Sequence, residues 1–368
     1  MKRLFLLAVA FSFTIQILAQ NESILAKPKV DKRVELLSIV FRLAEAQEYS
    51  AEYFKLYTDK INAYYEPYKN HELIQFVKKI RQERGIGYDA VMKMAVYLDE
   101  NLKPITKFTD DIPESRWGKE NSTQFVKLLK QFYKKSNSKK FFKDNEELYE
   151  EASKRFLDIY NLLDVDWYKK FYGKNPEEEF IIINGLGNGG GNYGISSHLP
   201  NQKKKVYAIM GAWSVDDSGM IVFLRKSNYL GTMIHEFCHS FVNYLLDQNL
   251  TPFQKNGEKI FELVKDKMEK QAYNNWQIML NEALVRASVI KYAIDHNIPK
   301  ENIQGMIQQE KKLGFVWIED LLAELERYDK QRDIYPTLES YMPNLAKAYE
   351  VFAEKMHQYM SMNANSKM

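Results

Sequence analysis

The chain has 368 residues, with 52 lysines and arginines against 49 aspartates and glutamates, six histidines and one cysteine. Its 45% hydrophobic and 14% aromatic residues supply a sizeable core and exclude a disordered chain, which needs low hydrophobicity and high net charge. A net charge of +3 predicts no nucleic-acid partner, because nucleic-acid-binding proteins concentrate basic residues on one face. A single cysteine excludes an intrachain disulfide framework.

The first 19 residues have the pattern of a secretory signal peptide. Lys2 and Arg3 precede an apolar run over residues 4–18, and Ala19 offers a small residue at a cleavage site. The run is shorter than the roughly 20 residues of a membrane-spanning helix, so we expect cleavage rather than an uncleaved anchor. The mature protein is therefore predicted to be exported, periplasmic or extracellular, without stable membrane insertion.

Residues 20–175 are predicted to form a helical N-terminal region. Apolar side chains recur at helical spacing, which lets each helix bury one face, in residues 34–44, 53–64, 91–98 and 125–132. Residues 101–122 contain two prolines and many charges, which predicts a loop.

The pattern changes at Glu178. The apolar run over residues 180–183 is typical of a buried strand, and further strands are predicted at 206–210 and 220–224, joined by a turn at 216–219. After Tyr229 the helical period returns and continues to about residue 360. Residues 176–368 therefore form a second region, and the predicted fold class is α+β, mostly helical with a short sheet.

The glycine run after the first strand contains Gly185-Leu-Gly187-Asn-Gly-Gly190, which has the spacing of a dinucleotide-binding loop. Such a site also needs a helix directly afterwards, inside a βαβ unit. Residues 192–200 show no helical period. We therefore predict a mobile loop between strands and no nucleotide cofactor.

One motif has residue types that can bind a metal ion and transfer a proton, His235-Glu236-Phe-Cys-His239. Residues four apart share a face of a helix, so His235 and His239 can bind one metal ion, at about 2.0–2.1 Å for zinc. Glu236 can reach the open coordination position and take a proton from water there. Zinc polarises a carbonyl and lowers the pKa of bound water to about 7. We predict that the two histidines bind Zn²⁺ as cofactor. The alternative is a core helix in which both histidines have hydrogen-bond partners and bind no metal.

A catalytic zinc site has a third protein ligand and keeps one position open. His296 and His357 lie in polar surroundings, and Asp247 lies on the motif helix two turns further on. Glu282 lies in an apolar stretch, where a buried carboxylate needs a partner. Arg286, on the same face, can bind one carboxylate oxygen while the metal takes the other. We predict Glu282 as the third ligand; the alternative is a plain surface pair with Arg286.

The motif resembles that of the zincins, the HExxH zinc metallopeptidases. The extended metzincin form does not fit, because it needs glycine and histidine where the chain has Val242 and Leu245. A gluzincin takes a glutamate from a later helix as third ligand, and its best match here is residues 281–286, with Glu282 43 residues after His239. More narrowly, the chain is similar to an uncharacterised family of exported bacterial zincin-like proteins, through residues 34–43, 85–90, 234–243 and 341–343.

This resemblance implies a zincin-like fold in which an edge strand runs over the cleft and pairs with substrate. Residues 211–213, Gly-Ala-Trp, are similar to the substrate strand of some gluzincins; the alternative is an ordinary strand end. Zincins also place a tyrosine or histidine near the oxyanion, for which Tyr335 and Tyr341 are candidates against plain packing. Cys238 points about 100° away from His239 on the helix and is expected to be structural.

The predicted function is hydrolysis of a peptide bond, in a protein or peptide outside the cytoplasm, by an exported zinc metallopeptidase. Zinc would be held by His235, His239 and Glu282, with Glu236 as general base. One alternative is an inactive zincin-like scaffold that binds a protein or peptide partner, although a scaffold has no need of Glu236. Another is a zinc hydrolase of cell-wall peptide amides.

Overall fold

The structure of the chain, a computed structural model, describes residues 25–176, 178–223, 226–271 and 273–365. The expected signal peptide, residues 1–19, lies outside these described residues. No helix within them is both long enough and apolar enough to cross a membrane.

Helices make up most of the described chain, which confirms the predicted α+β, mostly helical fold class. Within the described residues, eight α-helices precede the central strands: α1 (Lys32–Leu43), α2 (Lys55–Tyr65), α3 (Glu72–Arg84), α4 (Asp89–Val96), α5 (Gly118–Lys135), α6 (Ser138–Asp144), α7 (Glu146–Tyr160) and α8 (Val165–Tyr172). Six follow them: α9 (Lys226–Gln248), α10 (Leu250–Glu269), α11 (Trp276–Asp295), α12 (Lys300–Leu313), α13 (Ile318–Lys330) and α14 (Leu338–Asn365).

The sheet has four described strands in the order β1-β2-β4-β3. They are β1 (Lys29–Val30), β2 (Glu179–Gly185), β3 (Tyr193–Ser197) and β4 (Lys205–Gly211). The first three in this order run parallel, and β3 pairs antiparallel with β4. Because β4 lies between β2 and β3, strand β3 is an edge strand of the described sheet, with β1 at the opposite edge. Strand β3 begins just after the glycine run, and its edge is called the sheet border below.

The third strand expected at residues 220–224 is absent from the described part of that segment. Residues 214–222 instead form a turn with an isolated bridge between Val215 and Ile221. The Asp216 carboxylate accepts hydrogen bonds from the backbone N–H groups of Ser218 and Met220, and Arg155 donates to it from α7. These side-chain bonds close the turn, and backbone bonds from Asp216 N–H to the Met220 carbonyl and from Val222 N–H to the Ser214 carbonyl join its two arms.

The glycine loop lies between β2 and β3, as predicted, and it packs against the N-terminal helices. The fully buried carboxylate of Glu35, on α1, accepts the N–H groups of Leu186 and Gly187 at 2.7 and 3.0 Å. Gly189, at φ +71°, approaches so closely that an added Cβ would lie 2.1 Å from the Glu48 carbonyl oxygen. Glycine is required there by both conformation and space, so the loop fixes where β3 begins.

Helix α9 lies on one face of the sheet. The ring of Phe237 packs on Phe180 of β2 with centroids 4.7 Å apart. At the other end of the strands, Tyr229 donates from its hydroxyl to the carbonyl oxygen of Gly211 at 3.0 Å. Helix α11 packs along α9. This arrangement places the middle of α9 between the sheet border and α11.

Candidate metal centre

The two motif histidines lie on the half-buried side of α9. Of the three residues between them, Phe237 and Cys238 are fully buried, because they face the sheet and helix α8. Cys238 is a free cysteine, and burial raises the pKa of its thiol to about 12. A buried, neutral thiol behaves as a small apolar side chain, in line with the structural role expected for it.

Helix α11 brings Glu282 to the two histidines. The Nε2 atoms of His235 and His239 are 3.2 Å apart. Oε1 of Glu282 lies 3.2 Å from Nε2 of His239, and its Oε2 lies 3.6 Å from Nε2 of His235. Ligand atoms around a tetrahedral zinc with bonds of about 2.0–2.1 Å are about 3.3 Å apart. Each of the three residues therefore offers a ligand atom at a spacing that fits a zinc ion, and three protein ligands leave the fourth tetrahedral position to a non-protein ligand.

Neighbouring side chains orient these groups. Oδ1 of Asn243, one turn along α9, lies 3.0 Å from Nδ1 of His239. Since this oxygen only accepts, His239 donates from Nδ1 and turns Nε2 towards Glu282. Tyr273 donates from its hydroxyl to Oε2 of Glu282 at 3.0 Å, and Arg286 donates to that hydroxyl at the same distance. Tyr273 thus holds one carboxylate oxygen and leaves Oε1 directed at His239.

A proton occupies the cluster when no metal is bound. Burial opposes a charge on His239, but the hydrogen bond and charge of Glu282 outweigh it and raise the pKa of His239 to about 9. The same contact overcomes burial at Glu282 and lowers its pKa to about 2. Burial and the neighbouring charge of His239 lower the pKa of His235 to about 4, so this imidazole is neutral and free to ligate.

Glu236 points to the sheet border. Its carboxylate lies against the backbone of Gly194 in β3, where an added Cβ would be 1.9 Å from Oε2. Burial raises the pKa of Glu236 to about 7. No hydrogen bond or ion pair to Glu236 occurs within the described residues. A half-buried carboxylate without a donor is costly, and it is poised to exchange a proton near neutral pH.

The other predicted residues lie elsewhere. His296 caps the far end of α11, where its Nε2 is 3.2 Å from Asp164. Tyr341 is buried and donates from its hydroxyl to Glu324 at 3.0 Å, and Tyr335 packs edge-on against its ring. Both tyrosines thus have packing partners in the C-terminal helices. Gly211 belongs to the interior strand β4 and precedes Ala212, so β3, not this segment, borders the sheet beside Glu236.

Three residues around the site were not identified from the sequence: Gly194, Asn243 and Tyr273. Asn243 had a local signal, since it follows His239 by four residues on one helix face. Gly194 and Tyr273 reach the site through the register of β3 and the packing of α11, for which the sequence offers no local signal.

The family model described as a domain of unknown function, DUF4932, matches residues 110–348. The match takes in β2 to β4, α9 and α11, and so includes His235, Glu236, His239 and Glu282. No curated protein and no solved structure matches the chain.

Proposed function

The chain belongs to the DUF4932 family, whose description assigns no activity, and from its site we propose that it is a zinc-dependent peptidase. The observation that carries the proposal is the triangle of His235, His239 and Glu282. The two Nε2 atoms are 3.2 Å apart, and the Glu282 carboxylate places Oε1 3.2 Å from Nε2 of His239 and Oε2 3.6 Å from Nε2 of His235. Two imidazole nitrogens and one carboxylate oxygen, with one position left open, form a donor set typical of catalytic rather than structural zinc.

A zinc ion bound there would polarise a substrate carbonyl and make water a stronger acid. Glu236 is not part of the triangle, so its carboxylate remains available for proton transfer. With its pKa raised to about 7 by burial, Glu236 would accept a proton from the attacking water and return it to the leaving amine. An inactive scaffold would gain nothing from an unpaired, half-buried carboxylate, which favours hydrolysis over that alternative.

The sheet border supports a peptide as substrate. Strand β3 pairs with β4 on one side only within the described sheet, and its Gly194 touches Glu236. An extended peptide can add to such an edge through backbone hydrogen bonds. Its scissile bond would then lie beside Glu236 and the metal ligands.

The proposal is tested by metal analysis and by cleavage of a peptide library, using the mature wild type and Glu236→Gln. We expect about one zinc per chain in both proteins and cleavage by the wild type alone. General acid–base groups contribute about 10²–10⁴-fold, so turnover should fall by that factor in Glu236→Gln. Zinc retention without cleavage of any peptide, cell-wall peptides included, would support the scaffold alternative.

A further inference from the structure

A groove with an apolar floor and a basic rim is formed by residues that are far in the sequence from the metal ligands. It has a volume of about 590 Å³ and is formed by the loop at residues 104–108 and one face of α5. Phe108 and Val126 are buried in its floor. Four lysines line it, Lys107, Lys119, Lys127 and Lys130, and no acidic residue does.

The rim belongs to a longer concentration of positive charge. Residues 119–143 contain eight lysines and one acidic residue, Glu120, in a chain whose net charge is only +3. All eight lysines are exposed. Within the described residues only Lys140 among them has an ion pair, with Asp144. The positive charge of residues 119–143 is therefore exposed to solvent, and ion pairs within the described residues leave most of it unneutralised.

The presence of lysine without arginine favours some classes of binding partner over others. Residues 119–143 contain no arginine, although arginine is enriched and lysine depleted in protein–protein interfaces. Arginine also recognises carboxylate and phosphate groups with fixed two-point geometry, whereas lysine is a flexible point charge. A surface of lysines alone suits a diffuse layer of negative charge better than a partner with a defined shape.

We propose that the lysine-rimmed groove on α5 is a docking surface for a membrane of anionic phospholipids. Clusters of four to eight basic residues on a helix bind anionic lipid headgroups. Lysine stems can lie along the apolar floor while their ammonium groups reach the headgroups. The association is peripheral, and it depends neither on the zinc site nor on hydrolysis.

The test is co-sedimentation of the mature protein with vesicles of phosphatidylcholine, with and without phosphatidylglycerol. We expect binding to the anionic vesicles only, weakening as salt screens the charges. Each lysine adds about fivefold to such binding, so reversing two charges in Lys127→Glu/Lys130→Glu should weaken it by at least about tenfold. The matched control, Lys255→Glu/Lys259→Glu, changes the net charge equally at two exposed lysines of α10 and should stay within about twofold of wild type.

Zinc content and thermal melting of both double variants should match wild type, which separates lost docking from lost folding. Equal binding to neutral and anionic vesicles would overturn the proposal, as would equal losses in the two double variants. Failure of the wild type to bind anionic vesicles would also overturn it. Binding to an acidic polypeptide or to DNA, without binding to vesicles, would assign the surface to another class of partner.

Discussion

Gly194 and Glu236 are in direct steric contact across the border between the sheet and α9. A Cβ built on Gly194 would lie 1.9 Å from Oε2 and 2.4 Å from Oε1 of Glu236. Real Cβ atoms essentially never approach another heavy atom closer than 3.0 Å. The carboxylate can keep its position only while residue 194 has no side chain, so β3 sets the place of the proposed base.

Gly194→Ala should therefore displace Glu236 and lower peptide turnover by at least about tenfold, and by no more than the roughly 10²–10⁴-fold attributable to such a base. Zinc content should not change, because the ligands lie on α9 and α11. Gly231→Ala is the matched control, since an added Cβ there meets nothing within 4 Å. Steady-state kinetics on a cleaved peptide provide the measurement, and equal turnover in the two variants would contradict the steric argument.

The motif was predictable because helix geometry fixes the relation between residues four apart. His235 and His239 share a face whatever the remainder of the fold, and the Nε2 separation of 3.2 Å follows from that spacing once both rings turn the same way. Glu282 was predictable for a different reason: a carboxylate in an apolar helix needs a partner. Neither argument required knowledge of tertiary packing.

The positions of the short strands and of Tyr273 depended on contacts between segments, which the local sequence pattern does not predict. Strand β3 has five residues, among them one glycine and two serines, so its strand propensity is weak and its position depends on pairing with β4. Strand β1 has only two residues, inside a segment predicted to be helical. Tyr273 lies in the connection between α10 and α11, and its contact with Glu282 joins residues nine apart, a spacing that helix periodicity does not predict.

Glu282→Ala should weaken zinc binding by orders of magnitude, because one of three ligands is lost and two imidazoles remain. His296→Ala should leave zinc affinity unchanged. His296 lies fourteen residues further along α11, about 21 Å at 1.5 Å per residue. Zinc affinity measured by chelator competition distinguishes the two variants. Wild-type zinc affinity in Glu282→Ala, or a loss of zinc affinity in His296→Ala, would show that the third ligand is a residue other than Glu282.

Tyr273→Phe should weaken zinc binding by about 10–100-fold, the usual effect of losing a group that orients a metal ligand. Its hydroxyl holds Oε2 of Glu282 at 3.0 Å, and without it that oxygen keeps only the longer ion pair with Nε of Arg286, at 3.5 Å, so the carboxylate is free to rotate. Tyr335→Phe is the control, because Tyr335 packs against Tyr341 and not against Glu282. Equal zinc affinity in the two phenylalanine variants would show that the Tyr273 hydroxyl does not orient the ligand.

Tyr341→Phe should affect stability rather than catalysis. The hydroxyl of Tyr341 donates to Oε2 of the buried Glu324, and hydrogen bonds to charged groups contribute about 1.5–3 kcal/mol. The free energy of unfolding in urea should fall by about that amount, with zinc content and turnover per folded molecule unchanged. A large fall in turnover at unchanged stability would instead support the role near the oxyanion that the zincin resemblance implies.

Zinc affinity should rise with pH between 7 and 9. The contact with Glu282 raises the pKa of His239 to about 9, so at pH 7 this imidazole carries a proton that the metal must displace. Glu282 and His235, with pKa values of about 2 and about 4, have already lost theirs. Affinity should therefore increase about tenfold for each pH unit up to about 9 and then level off. Calorimetry in two buffers of different ionisation enthalpy should show about one proton released per zinc at pH 7, and release of none would mean that His239 is neutral before the metal arrives.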